Sequence, residues 1–342
     1  MSNELPLVCI CVPTYNVAVT VRETLESVLA QTYPNLVVHI SDNASTDETL
    51  RVVESIPDAR IHVHRQIENI GAEGNFTKCI QLATGKYTAI FHADDVYDSA
   101  ILAKQVAFLE ANPDVGTVFT GARTIDENGV LLGAIGRAPG VNGGVVRYSF
   151  RELLQTMLLH HNFLICPSAM VRTEMYQEYI REWGSSLFRS SSDIDTWLRL
   201  ASKMPIAVLN EPLMSYRISS AQFSNSIRNR TERADFFLVM DNYLARPDVL
   251  GLLTKDDLRH YGWLVRHECV ARALNLFVLG RSTEATKLLR GFFSRDTFSA
   301  AIHSRRGLVT LAGGSLLRLL MIFGMGNKGI LLVKSIKKIA WK

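Results

Sequence analysis

At 342 residues the chain is long enough for one large domain or two smaller ones with a sizeable core. A content of 47% apolar and 20% charged residues excludes a disordered chain. The net charge of +4 is unevenly placed, because His303 to Lys342 holds eight Lys or Arg and no acid. The rest of the chain is therefore mildly acidic, and the basic tail points to a local anionic partner.

In chain order, "LVCICV" (7–12) is a continuous apolar run stopped by Pro13, the pattern of a strand buried on both faces. Cys9 and Cys11 alternate with Val8, Ile10 and Val12, so they face one side of that strand as small apolar groups. The five cysteines show no zinc or disulfide spacing, and a reducing compartment fits them. No basic region precedes the short N-terminal apolar run, so a secretory signal is not expected and a cytoplasmic location is. Val21, Leu25, Val28 and Leu29 recur at helical spacing, and "LVVHIS" is the next strand. A helix with Leu50, Val53 and Ile56 inward follows, then the strand "RIHVH". Phe76, Cys79, Ile80 and Ala83 stripe a helix that Gly85 would close as a C-terminal cap. "YTAIFH" is a fourth strand, and Leu102, Val106 and Leu109 stripe a helix before "VGTVFTG". This alternation predicts an α/β fold around a mostly parallel sheet with right-handed crossovers.

Between about 125 and 190 the pattern loosens, with "APGVNGG" expected as a mobile loop. From about 230 onward the pattern is helical, with a hairpin turned at Gly280. The expected division is an α/β domain over 1–228 and a helical region over 229–342 with a basic amphipathic tail.

Ligands of such sheets collect beyond the C-terminal ends of the strands. Three polar clusters belong there: "PTYN" (13–16), "DNASTD" (42–47) and "HADD" (92–95). Two adjacent carboxylates at a strand end repel each other, and a divalent cation would offset that repulsion. Asp94 and Asp95 are thus a candidate foothold for Mg²⁺ or Mn²⁺, which prefer oxygen ligands. The competing account makes them a turn that caps the following helix. In "SSSDIDTWLRLAS" (190–202), Ile194, Trp197, Leu198 and Ala201 share a helical face. Ser191 or Ser192 is a natural N-cap, and Asp193 and Asp195 complement the helix dipole. A carboxylate at a helix start, such as Asp193, can equally serve a cleft as general base.

Together "VPTYN", "SDNASTDET", "IGAEGN", "HADDVYDSAIL" and "DIDTWLRLA" resemble the inverting glycosyltransferases of family 2, over about residues 6 to 225. The resemblance implies a GT-A fold and transfer of a sugar from a nucleotide diphosphate, UDP foremost, to a glycan or lipid-linked acceptor in surface polysaccharide synthesis. It places Pro13, Thr14 and Tyr15 in the base pocket, with Asp42 accepting from the base. Asn69, Gly71 and Asn75 would shape the loop over the nucleotide. Asp94 would hold the metal, with Asp95 beside it near the sugar. Asp193 would be the catalytic base, and Arg217 in "SYRISS" would approach the diphosphate or the acceptor. Three positions depart from the family pattern. His92 stands for the usual first Asp of the metal motif, where an imidazole can still bind a hydroxyl. Ser192 replaces the Glu before the base, and Ser219 replaces a histidine after the Tyr-Arg pair.

Two other enzyme classes fit less well. A sugar nucleotidyltransferase would want a Gly-rich basic loop after the first strand, and "PTYNVAVT" is neither. A dinucleotide oxidoreductase would need G-x-G-x-x-G there. A degenerate relative that binds nucleotide without turnover is the non-enzymatic alternative. In the tail, Leu332, Val333, Ile336, Ile339 and Ala340 form an apolar stripe that avoids Lys334, Lys337, Lys338 and Lys342. Such a helix can lie on an anionic membrane, with Trp341 at the interface, or pack on the protein body. Peripheral membrane contact is accordingly assigned to 307–342. Basic residues confined to an amphipathic tail, with no recognised module, argue against nucleic acid as a partner.

Overall fold

The computed structural model describes residues 4–141, 143–184, 188–219, 229–325 and 329–333. The chain divides into two units, Met1–Ser220 and Ala221–Lys342.

The first unit opens with β1 (Val8–Thr14), α1 (Val21–Leu29), β2 (Leu36–Asp42), α2 (Thr49–Glu54), β3 (Ile61–Arg65), α3 (Gly71–Leu82) and β4 (Tyr87–Ile90). It continues through β5 (Val96–Tyr97), α4 (Ile101–Ala111), β6 (Thr117–Ile125), β7 (Leu131–Ile135), β8 (Val145–Tyr148) and α5 (Phe150–His160). It ends with β9 (Met170–Arg172), α6 (Thr173–Met175), α7 (Ser192–Ala201) and β10 (Ile206–Arg217). The strands form one sheet in the order β3-β2-β1-β4-β9-β6-β10-β5, with β7 added beside β6 and β8 beside β10.

The blocks β3-β2-β1-β4 and β6-β10 are parallel, as helical crossovers require. β9 lies between them, antiparallel to both neighbours, so β4 and β6 point the same way. Val8, Ile10, Val12, Leu25, Ile40, Leu102 and Met170 belong to one core and are fully buried. Burying each such side chain contributes about 1.5–3 kcal/mol before entropy is counted. Cys9 and Cys11 point to the same side, their sulfurs 3.7 Å apart. Register decides what meets at the sheet edge: Thr14 lies beside Asp42, and Cys11 beside Ile90.

Gly85 does something other than cap α3. The helix ends at Leu82, and Ala83 is already extended. Gly85 has φ +72, and a Cβ there would come within 2.6 Å of the Leu7 carbonyl oxygen, so it serves the close entry into β4. The segment 125–190 holds more regular structure than its periodicity suggests. α5 begins with a capping box in which Ser149 and Glu152 satisfy each other's backbone N–H groups.

The second unit contains α8 (Asp235–Leu244), α9 (Pro247–Leu250), α10 (Lys255–Val278), α11 (Ser282–Leu288), α12 (Arg295–His303) and α13 (Arg305–Ile322). The expected turn between α10 and α11 contains Gly280 at φ +77. Val270, Leu274, Phe277, Leu289 and Leu317 form its core, and Val333 joins that core. Lys334 to Lys342, which carry most of the expected amphipathic stripe, lie outside the described residues. Among the described residues no helix is long and apolar enough to cross a membrane.

Candidate active site

Three strand ends and the start of α7 supply the candidate site. At the end of β2, Asp42 is fully buried. Its Oδ1 accepts from Thr14 Oγ1 at 3.0 Å and from Ser45 Oγ at 2.6 Å, and its Oδ2 accepts from Ser45 N–H at 3.0 Å. The carboxylate therefore braces the first two strand tips with both oxygens. Tyr15, next along, is 45% exposed and Pro13 is half-buried. Asn75 is also interior: its Oδ1 accepts from Ser41 Oγ at 2.6 Å, and its Nδ2 donates to the Ser41 carbonyl at 3.0 Å. It pins α3, which the loop expected over the nucleotide leads into, to the sheet. Asn69 does shape the preceding loop, its Oδ1 accepting from Gly71 N–H at 2.8 Å and from Asn43 Nδ2 at 2.9 Å.

Beyond β4, one nitrogen or oxygen from each of His92, Asp94 and Asp95 falls within 4.8 Å of the others. The capping account of the two acids does not hold. The next helix begins only at Ile101, and Asp98 Oδ1 takes the Ala100 N–H at its start. Asp95 is fully buried, and its Oδ1 accepts from Arg217 N–H at 2.9 Å. Burial first, then the neighbouring Asp94, push its carboxyl well above the usual range. Burial likewise pushes the His92 imidazole below its ordinary value, against the pull of Asp94. Among the described residues, His92 Nε2 and Asp95 Oδ2 are buried without a hydrogen-bond partner. Buried polar atoms ordinarily find partners. An imidazole nitrogen and a carboxylate oxygen left in this state suit a divalent cation, Mn²⁺ accepting nitrogen more readily than Mg²⁺. The donor set fits the group.

Arg217 stands differently from the expectation. Its guanidinium is buried, donating to the Asp94 carbonyl at 2.8 Å, to those of Asp126 and Glu127 at 3.3 and 3.2 Å, and pairing with Glu23. It clamps the Asp94–Asp95 turn to the β6–β7 turn. A planar fork with several donors satisfies four such acceptors, and a buried cation needs them.

Asp193 occupies the first turn of α7, which Trp197 anchors edge-on against Phe119 and Trp183. Partial burial raises its carboxyl to about 6, although the N–H groups of Ile194 and of Asp193 itself pull it down. Burial, then Asp193, then Asp95 push the Cys166 thiol up. The fold thus brings Cys166 within electrostatic reach of both Asp193 and Asp95. Ser191 makes no capping hydrogen bond, and Ser192 lies inside the helix and donates to Glu73 in the first turn of α3.

A family model described as "Glycosyl transferase family 2" matches residues 9–180, half of the chain. The chain belongs to glycosyltransferase family 2. As a family 2 glycosyltransferase it is 29% identical over 229 residues to the putative teichuronic acid biosynthesis glycosyltransferase TuaG of Bacillus subtilis. That alignment spans 66% of this chain and 84% of TuaG. Solved structures agree on the GT-A fold. S. aureus TarS 1–349 in complex with UDP-GlcNAc superposes with a TM-score of 0.57 at 15% identity, over 83% of this chain and 91% of that one. The mannosyltransferase PcManGT from Pyrobaculum calidifontis, in complex with GDP-Man and Mn²⁺, gives 0.55 at 20% identity, over 99% and 89%.

Two residues beside the candidate acids escaped the motif reading. Glu73 lies inside "IGAEGN", but nothing local points across to Ser192. Cys166 sits in the stretch without periodicity, and only the fold brings it near Asp193 and Asp95.

Proposed function

We propose that this glycosyltransferase moves a sugar from a nucleotide diphosphate, UDP foremost, to a hydroxyl of a glycan or lipid-linked acceptor, with inversion and with a divalent cation. The observation that carries the reading is the cluster of His92, Asp94 and Asp95. In it, among the described residues, His92 Nε2 and Asp95 Oδ2 are buried without a hydrogen-bond partner, which supports a bound cation.

Asp94, with Asp95 and His92 beside it, would hold Mn²⁺ or Mg²⁺, whose charge offsets the negative charge growing on the departing diphosphate. Arg217 fixes the turn that carries the two acids, so they need not reorganise during the reaction. Tyr15, exposed beyond the first strand, is the residue of its cluster free to cover a base. Asp193 accepts the proton of the acceptor hydroxyl while that oxygen attacks the anomeric carbon opposite the leaving group. A carboxylate with a pKa near 6 is ionised at neutral pH yet more basic than a solvated one, as such a base requires.

TuaG is named for teichuronic acid biosynthesis, which supports a surface polysaccharide as the product class. TarS binds UDP-GlcNAc and PcManGT binds GDP-Man with Mn²⁺, which supports a nucleotide-sugar donor and a cation. The basic tail supports peripheral attachment to the cytoplasmic face of a membrane. The test is a thermal-shift panel of UDP- and GDP-sugars with and without Mn²⁺. One donor should stabilise the protein only with the ion. Stabilisation that ignores the ion would refute the metal assignment, and no response to any nucleotide sugar would refute the donor class.

A further inference from the structure

Helix α3 touches both halves of the candidate site. Phe76 meets the edge of His92 at 5.6 Å between ring centroids, and Asn75 ties the helix to the tip of β2. One turn earlier, Glu73 Oε1 accepts from Ser192 Oγ, the residue immediately before Asp193. This contact joins positions far apart in the chain, and the surroundings are shaped for it. Gly184 has φ +79, and a Cβ there would lie 2.8 Å from Glu73 Oε1 and 2.9 Å from Ser192 Oγ, so only glycine leaves room. Thr77, on the next turn of α3, accepts from Trp183 N–H at 2.9 Å and donates to the Glu73 carbonyl at 2.9 Å. The loop carrying Gly184 is thereby held against α3 while Trp183 packs on Phe76 and on Trp197 of α7.

The start of α7 follows directly on a 3-10 turn over Arg189–Ser191. Its N-cap Ser191 makes no side-chain capping bond. A first turn without a cap frays, and fraying here would displace the Asp193 carboxylate. We infer that Glu73 is a positioning residue for the base: by gripping Ser192 it fixes the first turn of α7 and so the aim of Asp193. The inference rests on Asp193 being the base. Glu73 itself touches neither donor nor reacting atoms in this scheme, and its charge is not required. It needs only an acceptor oxygen at the right place.

The test uses the full chain and the variants Glu73→Ala, Glu73→Gln, Ser192→Ala, the Glu73→Ala/Ser192→Ala double and Asp193→Asn. Hydrogen exchange is followed over residues 192–196. Nucleotide release is measured from UDP-glucose, UDP-GlcNAc and GDP-mannose. Glu73→Ala and Ser192→Ala should each speed exchange of the first turn and lower kcat about tenfold or more, with donor KM within about twofold. The double variant should be no worse than the poorer single, because both remove one contact. Glu73→Gln should keep near-normal exchange and kcat, since its amide oxygen still accepts from Ser192. It also decides the question with Ser192→Ala if Glu73→Ala fails to fold. Unchanged exchange in Glu73→Ala, additive losses in the double, or a Glu73→Gln variant as impaired as the alanine would each overturn the inference. Wild-type turnover by Asp193→Asn would instead remove the base assignment, and the exchange data would still decide the contact on their own.

Discussion

Replacing Asp193 by asparagine changes activity and stability in opposite directions, and both changes follow from one carboxyl with a pKa raised to about 6 by burial. In the unfolded chain an aspartate titrates near 3.9. Between those two values the folded protein holds a proton that the unfolded chain has released, so stability falls as pH rises through that window and stays reduced above it. About two pH units correspond to roughly 3 kcal/mol at most, and because Asp193 keeps some contact with water we expect about 1–2 kcal/mol. The neutral amide escapes that cost and still accepts from the Ile194 N–H. For a unit of this size the gain in Tm at pH 7 is about 3–6 °C, shrinking to nearly nothing below pH 4. Loss of the general base should meanwhile lower turnover by about 10²–10⁴-fold. The wild-type rate should climb with pH through a midpoint near 6, and the variant's residual rate should lack that limb. Differential scanning fluorimetry at the two pH values, with nucleotide release measured across pH, checks each part. A variant less stable than wild type at pH 7, or a wild-type rate already flat above pH 5, would refute the reasoning.

Other outcomes follow from the same geometry. Asp94→Ala should lower Mn²⁺-dependent UDP binding at least about tenfold in calorimetry while leaving the melting temperature close to wild type, because Asp94 is only partly buried. Arg217→Ala should cost about 1–3 kcal/mol and abolish activity, as it takes the donor from the carbonyls of the partly buried Asp94 and Asp126 and releases the turn that carries the acids; a urea melt that hardly moves would show the clamp to be dispensable. Truncation after Asn327 should abolish co-sedimentation with anionic vesicles and leave neutral vesicles unaffected; full retention on anionic vesicles would assign the lysines of the tail another role.

The parallel half of the sheet was legible because β1, β2 and β4 are largely apolar runs, β3 alternates apolar and polar residues, and each crossover helix carries its own stripe. Cys9 and Cys11 were placed correctly on one face by alternation alone. The stretch 125–190 resisted for a physical reason. β7 reads as an apolar run, "LLGAI", yet it lies at a sheet edge with all five residues exposed, so it lacks the buried faces that such a run ordinarily signals. The capping box of Ser149 and Glu152 was a signal available in the letters, but it was outweighed by the glycines before it.

At the site, position was more legible than role. The order of the motifs indicated which strand tips would gather: Thr14 and Asp42 meet at the ends of β1 and β2, and His92, Asp94 and Asp95 cluster beyond β4. What the motifs could not convey is which polar groups are consumed by the fold. Asp42, Asn75 and Arg217 each belong to a functional motif by type and place, yet each spends its hydrogen bonds on neighbouring backbone or hydroxyl groups. Their function is exercised through the groups they hold: Arg217 through the Asp94 carbonyl, Asn75 through Ser41, Asp42 through Thr14. A buried polar side chain with every atom satisfied has little left for a ligand, whereas His92 Nε2 and Asp95 Oδ2, buried and unsatisfied among the described residues, do. That difference is set by partners distant in the chain, which is why it appears only once the strands are in register.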